Sequence, residues 1–293
     1  MDGALFAASA ATTVSATLAS SVHAAASLAL LALAGWLTVV WVSGAVYVAV
    51  SYAEAFRHVP ARPLNRVVGS VLRESWLVLW SQPLMPWFWL FGKNLGSGGG
   101  TVPVVLVHGY FQNRLDFMYL ALRLKQAGCG PLFACNFFWP QSLVRSSADV
   151  LAFIEKVRTR TGAPAVDLLT HSSGGLFALD ILAEKPELIR RAALVAVPAR
   201  GVPWRGPVIG AAGSELRAGS RYQAEHVRSV HGVPVLSVYS RHDNMVHPVE
   251  TSRLDGDDVT NVEVGDLGHL SVLFDREVAD VVCGFLTGQY RQR

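Results

Sequence analysis

The stretch that most constrains the fold is Thr-His-Ser-Ser-Gly-Gly at residues 170–175. It follows an apolar run at 165–169 and precedes a helix-like run at 176–179. A buried strand that ends in a small-x-Ser-x-Gly turn and continues as a helix places one serine on a sharp bend, at the carboxyl edge of a parallel sheet. Thr170 occupies the position where such a turn usually has its first glycine. The pattern predicts that Ser172 is a nucleophile exposed on this bend.

A serine nucleophile needs a general base, and the base needs an orienting acid. The strand-like run 233–239 is followed by Asp243, and the strand-like run 259–264 is followed by His269. Both side chains would then lie on loops at the carboxyl ends of strands, in the chain order serine, acid, histidine. We therefore predict Ser172 as nucleophile, Asp243 as orienting acid and His269 as general base.

A second apolar run, at 102–107, is typical of a strand that is buried on both faces of a sheet. It is followed by His-Gly-Tyr, in which Gly109 would let the backbone approach a substrate closely. Backbone amides placed after such a strand and directly after the nucleophile can bind the oxyanion of a tetrahedral intermediate. The amides of Tyr110 and Ser173 are therefore predicted to form the oxyanion hole.

Together these motifs resemble the α/β-hydrolase superfamily, in particular the small bacterial triacylglycerol lipases of lipase class 2. The resemblance covers residues 101–288 and is carried, in order, by Val-Leu-Val-His-Gly-Tyr at 105–110, Thr-His-Ser-Ser-Gly-Gly at 170–175, Val-Tyr-Ser-Arg-His-Asp at 238–243, Ser-Arg-Leu-Asp-Gly at 252–256 and Leu-Gly-His-Leu at 267–270. It implies a minimal α/β-hydrolase fold and hydrolysis of acylglycerol esters without a cofactor. Such lipases are usually secreted and soluble, and this chain differs from them in its long apolar N-terminal segment.

Several other residues near these motifs compete for the same roles. His242 and His247 flank the acid loop and remain alternative bases, whereas His108 and His171 are interpreted as structural residues of their motifs. Two further carboxylates remain alternative acids, Asp266 and Glu250.

Strand-like and helix-like runs alternate after residue 101, which predicts an α/β fold with a mostly parallel sheet flanked by helices. Strands are predicted near 102–107, 132–137, 165–170, 192–197, 234–240 and 259–264. Helices are predicted near 114–127, 146–160, 173–184 and 273–287. The longest insertion between strands, residues 198–232, is expected to form a lid or a substrate wall.

The composition indicates a membrane segment at the N-terminus. Charged residues make up only 16% of the chain, against about 25% in soluble domains. Residues 3–53 contain no Asp, Glu, Lys or Arg. Since about 20 apolar residues suffice to cross a bilayer, we predict one transmembrane helix at about 26–50. A signal peptide is the competing interpretation, but it would have a basic start and a shorter apolar core. Residues 4–23 form a weak second span or a helix of small residues.

The charges that flank this span predict its orientation. No Lys or Arg precedes the span, whereas four arginines follow it closely: Arg57, Arg62, Arg66 and Arg73. Cytoplasmic flanks carry the positive excess, so the hydrolase region is predicted to face the cytoplasm from the inner membrane. A periplasmic placement is the alternative.

The chain is therefore divided into a membrane segment (1–56), a connector (57–100) and a catalytic domain (101–293). In the connector, residues 62–79 are expected to form a helix with a basic and an apolar face, followed by a tryptophan-rich stretch broken by prolines. This composition suits a segment that lies at the membrane interface. A hydrophobic collar packed on the catalytic domain is the alternative. Residues 93–101 have the glycine-rich composition of a flexible linker.

The sequence predicts no metal site and no cofactor. No cluster of His, Cys or carboxylates has metal-ligand spacing, and the acidic loop 255–258 is interpreted as a solvated turn. The net charge of +3 is too small to indicate a nucleic-acid partner. The expected partners are an acyl ester substrate and a membrane, and the oligomeric state is left open.

The leading interpretation is a membrane-anchored serine ester hydrolase, a lipase or carboxylesterase that acts through an acyl-enzyme intermediate. An acyltransferase or a thioesterase would share the first half-reaction, so both remain alternatives. A third is a non-catalytic, membrane-tethered binding domain of the same fold.

Overall fold

A seven-stranded sheet forms the centre of the structure, a computed structural model that describes residues 2–87, 94–96, 98–226 and 230–290. The strands lie in the order β1-β3-β2-β4-β5-β6-β7, and every neighbouring pair is parallel except β1 with β3. The strands are β1 (Asn94–Gly96), β2 (Val104–Val107), β3 (Leu132–Ala134), β4 (Val166–His171), β5 (Ile189–Val195), β6 (Val235–Ser240) and β7 (Val259–Val264). The predicted mostly parallel sheet is thereby confirmed.

Helices cover both faces of this sheet. They are α1 (Asp2–Ala55), α2 (Leu64–Ser81), α3 (Met118–Gln126), α4 (Leu143–Thr161), α5 (Gly174–Glu184), α6 (Gly210–Glu215), α7 (Arg221–Glu225) and α8 (Arg276–Thr287). In β2, Val104 and Leu106 pack in the core that contains α3 and α8, whereas Val105 and Val107 pack in the core that contains α4 and α5. Successive side chains of a strand point to opposite faces, so an entirely apolar strand is explained by helices on both sides.

The parallel arrangement brings the carboxyl ends of β2, β4, β6 and β7 to one edge of the sheet. The loops that follow these ends contain the sequence motifs for the oxyanion donors, the nucleophile, the acid and the base. The fold therefore brings these motifs together at one edge of the sheet, although the first and the last lie more than a hundred residues apart in the chain.

Helix α1 runs without a break from Asp2 to Ala55, well beyond the predicted span at 26–50. In the part of the chain that the structure describes, Ser21–Ala55 is the one helix with the length and composition to cross a bilayer, with a mean hydropathy of 2.0. Its last turns are different, because Val48 and Tyr52 are buried in the core that faces α3 and α8. One helix thus provides both an exposed apolar surface and a part of the domain core.

Helices α1 and α2 pack as an antiparallel pair. The Trp41 indole of α1 donates to the carbonyl of Leu79 at 3.1 Å, and the Tyr52 hydroxyl lies 2.7 Å from Ser70 Oγ. The last carbonyls of a helix have no partner within the helix, so the Trp41 indole satisfies one of those at the end of α2. Helix α2 of the connector is therefore attached to α1 near both of its ends.

Helix α2 overlaps the helix that the sequence predicts at 62–79 but begins and ends two residues later. Its two sides have different surroundings. Its inner side packs against α1 and the domain core and carries the buried residues Ser70, Glu74, Leu77, Val78 and Ser81. Its outer side exposes four large apolar residues at intervals of four, Leu64, Val68, Leu72 and Trp76. The inner side fits the collar interpretation, and the outer side keeps the apolar surface that an interfacial helix needs. Trp89 of the predicted tryptophan-rich stretch lies outside the described residues.

The segment that composition indicates as a flexible linker contains strand β1, which pairs with β3. A Cβ on Gly98 would lie 2.3 Å from the carbonyl oxygen of Cys129, and one on Gly100 would lie 2.6 Å from that of Gly128. Glycine allows backbones to approach this closely. Composition alone does not distinguish such glycines from those of a mobile linker, which is why β1 was not predicted.

Candidate active site

Ser172 occupies a sharp turn between β4 and α5. Its φ is +54°, a left-handed backbone conformation that costs about 1–3 kcal/mol for a residue other than glycine and persists only where its surroundings enforce it. Two hydrogen bonds hold the turn, from Ser172 N to Val195 O and from Gly175 N to Ser172 O, both at 2.9 Å. A Cβ on Gly174 would lie 2.4 Å from the carbonyl of Val107, so this glycine is required where α5 crosses the end of β2.

Thr170 takes the place of the usual first glycine without disturbing the turn. It is still part of β4, where it pairs with Val107 on one side and Leu194 on the other. Its side chain is fully buried and faces Gly175, at which a Cβ would lie 3.4 Å from Thr170 Oγ1. A β-branched residue suits a strand, and the glycine opposite provides the space.

Asp243 and His269 are in direct contact. The Nδ1 atom of His269 lies 2.9 Å from Asp243 Oδ2, and both side chains are buried. The second oxygen of Asp243 accepts hydrogen bonds from the amides of Met245 and Val246, at 2.7 and 2.8 Å. These three contacts fix the orientation of the Asp243 carboxylate and, through it, that of the imidazole ring.

Electrostatics favour the protonated form of His269 more than is usual for a histidine. Burial lowers its pKa, but the charge of Asp243, its hydrogen bond to Nδ1 and the charge of Glu74 together raise the pKa above the ordinary value. In the described residues no hydrogen bond joins Ser172 Oγ to the His269 ring. Such a bond often forms only when a substrate is bound.

The other candidate acids have different surroundings. Asp266 pairs with two arginines, with 3.3 Å between its Oδ1 and Arg62 Nη1 and 2.9 Å between its Oδ2 and Arg66 Nη1. Glu250 is exposed on a short turn after β6. Only Asp243, among these three carboxylates, contacts His269.

Three other histidines near these motifs contact neighbouring residues of the fold. His108 is buried, stacks on Phe137 with 4.2 Å between ring centroids, and has its pKa lowered to about 4, chiefly by burial. His242 lies beside the Asp266 amide, at 3.3 Å from Nδ1, and His247 stacks on His58.

His171 connects the turn to the base loop. Its Nδ1 lies 2.8 Å from Gln112 Oε1 and its Nε2 lies 2.9 Å from the carbonyl oxygen of His269. Gln112 Oε1 also accepts a hydrogen bond from the Gly109 amide at 2.7 Å. Gln112 was not identified from the sequence, because it belongs to no spacing pattern and gains its position only when the ends of β2 and β4 meet.

The two predicted oxyanion donors lie on adjacent backbone segments. A Cβ on Gly109 would lie 2.6 Å from Ser172 Cβ, which shows how closely the end of β2 approaches the turn. The Tyr110 amide donates to Ser173 Oγ at 2.9 Å, so an oxyanion would have to replace this hydroxyl as its acceptor. Ser173 precedes the first turn of α5, where helix amides have no intrahelical partner.

An aromatic wall borders this part of the site. Phe111 and Trp139 stack with 4.0 Å between ring centroids, and Tyr110 contacts both rings edge to face. The Tyr110 hydroxyl donates to the carbonyl of Ile209 at 2.6 Å, which joins the wall to the insertion at 198–232. Apolar walls with few polar groups are typical of sites for apolar ligands.

Sequence comparison with known proteins agrees with the α/β fold described above. Residues 104–231 match the Alpha/beta hydrolase family. The chain is 28% identical to a triacylglycerol lipase of Burkholderia plantarii over 142 residues, which is 42% of this chain and 40% of the relative. It is 31% identical to a triacylglycerol lipase of Pseudarthrobacter phenanthrenivorans over 107 residues, 34% of each. The chain thus spans well under half the length of these curated relatives.

Solved structures with low sequence identity share the architecture. Lipase B of Aspergillus fumigatus superposes with a TM-score of 0.57 at 19% identity, over 66% of this chain and 54% of the other. A lipase of Bacillus licheniformis in its mature form gives a TM-score of 0.54 at 14% identity, over 64% and 91%. These similarities establish an α/β-hydrolase fold.

Proposed function

We propose that this chain with an α/β-hydrolase fold is a membrane-anchored serine hydrolase that cleaves lipid-like acyl esters. The observation that carries the proposal is the buried contact of Asp243 with His269 at the sheet edge that also bears the strained turn of Ser172. A serine, an imidazole oriented by a carboxylate and a nearby pair of backbone amides are the components of covalent acyl transfer. The curated relatives, which are triacylglycerol lipases, support an ester as the substrate.

The proposed reaction has two halves. Ser172 Oγ attacks the ester carbonyl while His269 Nε2 takes the hydroxyl proton, and the Tyr110 and Ser173 amides bind the oxyanion. The intermediate collapses, the alcohol leaves with the proton from His269, and the acyl group stays on Ser172. Water then attacks the acyl-enzyme with His269 again as the base, which releases the acid and restores the serine. Asp243 keeps Nδ1 protonated throughout.

The aromatic wall beside Tyr110 supports an apolar acyl group as the part of the substrate that is recognised. Phe111, one of the rings of this wall, has 43% of its surface exposed. Exposed aromatic rings next to an oxyanion site would contact an acyl chain as it enters.

We also propose that α1 anchors the protein in the inner membrane with Ser172 on the cytoplasmic side. The support is the uncharged stretch 3–53 and the four arginines that follow it. Three of these arginines pair with the domain in the folded chain, Arg62 and Arg66 with Asp266 and Arg73 with Asp275. Orientation is set during insertion, before these ion pairs form, so the arginines still direct the flank inward.

The placement is tested on the full-length chain. Carbonate washing should leave it in the membrane pellet, and a reporter fused to its carboxyl terminus should be active in the cytoplasm. A reporter active only in the periplasm would contradict the side of the membrane. A mature chain that begins after residue 50 would contradict the anchor.

The catalytic proposal is tested with two neighbouring serines. Ser172→Ala should reduce hydrolysis of nitrophenyl esters by about 10⁴-fold or more. Ser173→Ala is the neighbouring comparison: it removes the hydroxyl that accepts from the Tyr110 amide but leaves both oxyanion amides in place, so its effect should be far smaller. If Ser172→Ala retains near-normal turnover, or if Ser173→Ala is the more damaging change, Ser172 is not the nucleophile.

A further inference from the structure

A buried carboxylate from the N-terminal helices contacts the loop that bears the catalytic histidine. Glu74 of α2 is fully buried. Its Oε1 accepts a hydrogen bond from the amide of Leu270 at 2.7 Å, and its Oε2 accepts one from the amide of Ser271 at 3.0 Å. These are the two residues that directly follow His269. Hydrogen bonds to a charged acceptor are about twice as strong as neutral ones, so Glu74 fixes the backbone at this point.

Helix α1 holds the same loop through a second contact. The His269 amide donates to Asn244 Oδ1 at 2.7 Å, and Asn244 Nδ2 donates to Ser51 Oγ of α1 at 2.7 Å. The amides of residues 269–271 are therefore all bound by side chains, and both N-terminal helices take part in holding them. This arrangement orients the ring of His269 from its backbone side, while Asp243 orients it from Nδ1.

The surroundings of Gly268 leave no space for a side chain at this position. A Cβ there would lie 2.7 Å from Glu74 Oε2, 2.7 Å from the Tyr52 hydroxyl and 2.9 Å from Asn244 Oδ1. Three polar side chains from three separate elements therefore converge on one glycine directly before His269. Such a packed polar cluster restricts the loop to one arrangement.

The cost of burying Glu74 indicates a role other than stability. A buried carboxylate is expensive unless it is paired, and an apolar residue of similar size is often more stabilising. Among the described ion pairs none joins Glu74 to a lysine or an arginine. Burial raises the pKa of Glu74, and the two amides together with the charge of His269 act in the opposite direction. The positive charge that Glu74 stabilises is therefore that of the protonated His269 imidazole.

We propose that Glu74 is a positioning residue for His269, so that α2 supports the base loop through this one side chain in addition to packing against the anchor helix α1. Glu74 fixes the backbone of residues 269–271 and supplies a second negative charge to the imidazolium that forms in each transition state. This inference rests on the proposed function. If α1 and α2 were only an anchor, a change at Glu74 would leave the chemistry of the domain unchanged.

Other titratable groups surround this cluster and are kept constant in the test. Asp243 lies on the acid loop, His247 lies beyond it and His171 lies at the end of β4. Helix α1 contributes two phenols, Tyr47 and Tyr52.

The test compares Glu74→Gln with Val78→Ala in the full-length chain in detergent micelles. The glutamine removes the charge and turns an NH₂ group toward one of the two amides. We expect a loss of kcat of roughly ten- to hundredfold, as for a small misplacement of a catalytic group, with KM little changed. The acid limb of the kcat/KM profile should move to lower pH, because His269 loses a stabilising charge. Val78→Ala, also buried on α2 but packed against Gly44 of α1 and without a hydrogen bond to the loop, should leave the profile in place.

A second variant and a second readout keep the test decisive. If Glu74→Gln does not fold, Glu74→Asp keeps the charge but shortens the side chain, so it should lower kcat with a smaller shift of the profile. Titration of His269 by NMR measures the charge effect even if no ester is turned over. If a fluorophosphonate probe does not react with Ser172 while the His269 titration still shifts in Glu74→Gln, the proposed function alone is rejected. Unchanged kcat and an unchanged His269 titration in Glu74→Gln would overturn the role of Glu74.

Discussion

The edge of the sheet and the N-terminal helix pair contribute to the same site in different ways. The residues at the sheet edge are encoded in short motifs, each one a strand followed by its functional residue, as in Asp243 after β6 and His269 after β7. The helix pair contributes through single residues that reach the base loop from far along the chain. Glu74 and Ser271 are 197 positions apart. Motif residues can therefore be found by reading the sequence, whereas supporting residues become apparent only in the fold.

The largest expected effect concerns the acid at the sheet edge. Asp243→Asn should lower kcat by about 10⁴-fold, because the amide no longer holds the Nδ1–H tautomer of His269. Asp266→Asn is the control, since Asp266 pairs with Arg62 and Arg66 instead of His269. Turnover of nitrophenyl esters measures both. If Asp243→Asn lowers kcat only slightly while Asp266→Asn lowers it severely, then Asp266 and not Asp243 is the orienting acid.

The pH dependence gives the next largest effect. His269 must be neutral to act as a base, and its pKa is raised above the ordinary value by Asp243 and Glu74 despite burial. The value of kcat/KM should therefore fall as the pH drops through this raised pKa, by about tenfold per unit below it. A rate profile in a series of buffers measures the limb. If the acid limb of the kcat/KM profile lies at a pH below the ordinary histidine pKa, another group is the base.

A smaller effect is expected where α1 and α2 touch. A Cβ on Gly44 would lie 2.7 Å from Val78 Cγ1, so Gly44→Val should force the helices apart and lower the free energy of unfolding by about 1–3 kcal/mol. Gly35→Val is the matched control on the same helix, because no atom lies within 4 Å of a Cβ at that position. Thermal unfolding in micelles compares them. Equal melting temperatures would argue against the helix pair as a packed unit.

The smallest effect is that of one hydrogen bond between the same helices. Trp41→Phe keeps an aromatic ring but removes the indole donor to the Leu79 carbonyl. The loss should be about 1 kcal/mol, seen as a slightly lower melting temperature with unchanged pH dependence of turnover. A change in the pH profile would mean that this end of the helix pair also affects His269.

The sequence predicted the parts of the fold that local patterns determine. The last predicted strand, 259–264, coincides with β7, and the turn at Ser172 lies where the strand and helix signals meet. Strand β1 was missed, because glycines that allow close backbone contact resemble those of a linker. Helix α1 is longer than its predicted span, since small residues before residue 26 continue the helix.

Predictions about the site differ in the same way. The sequence named both members of the Asp243–His269 contact, but it could not separate Asp243 from Asp266 by spacing alone. The ion pairs of Asp266 with Arg62 and Arg66 separate them, and these arginines come from a distant segment. Glu74 gave no signal, because one carboxylate in an amphipathic helix is ordinarily a surface residue. Its burial depends on the packing of the whole helix pair.

The central claim, that Ser172 is the nucleophile of a serine hydrolase, is tested most directly by trapping the covalent enzyme. The full-length chain is treated with a fluorophosphonate probe, digested and examined by mass spectrometry. The predicted result is one adduct, on Ser172, which is absent in Ser172→Ala and retained in Ser173→Ala. An adduct on another residue, or labelling that persists in Ser172→Ala, would contradict the claim.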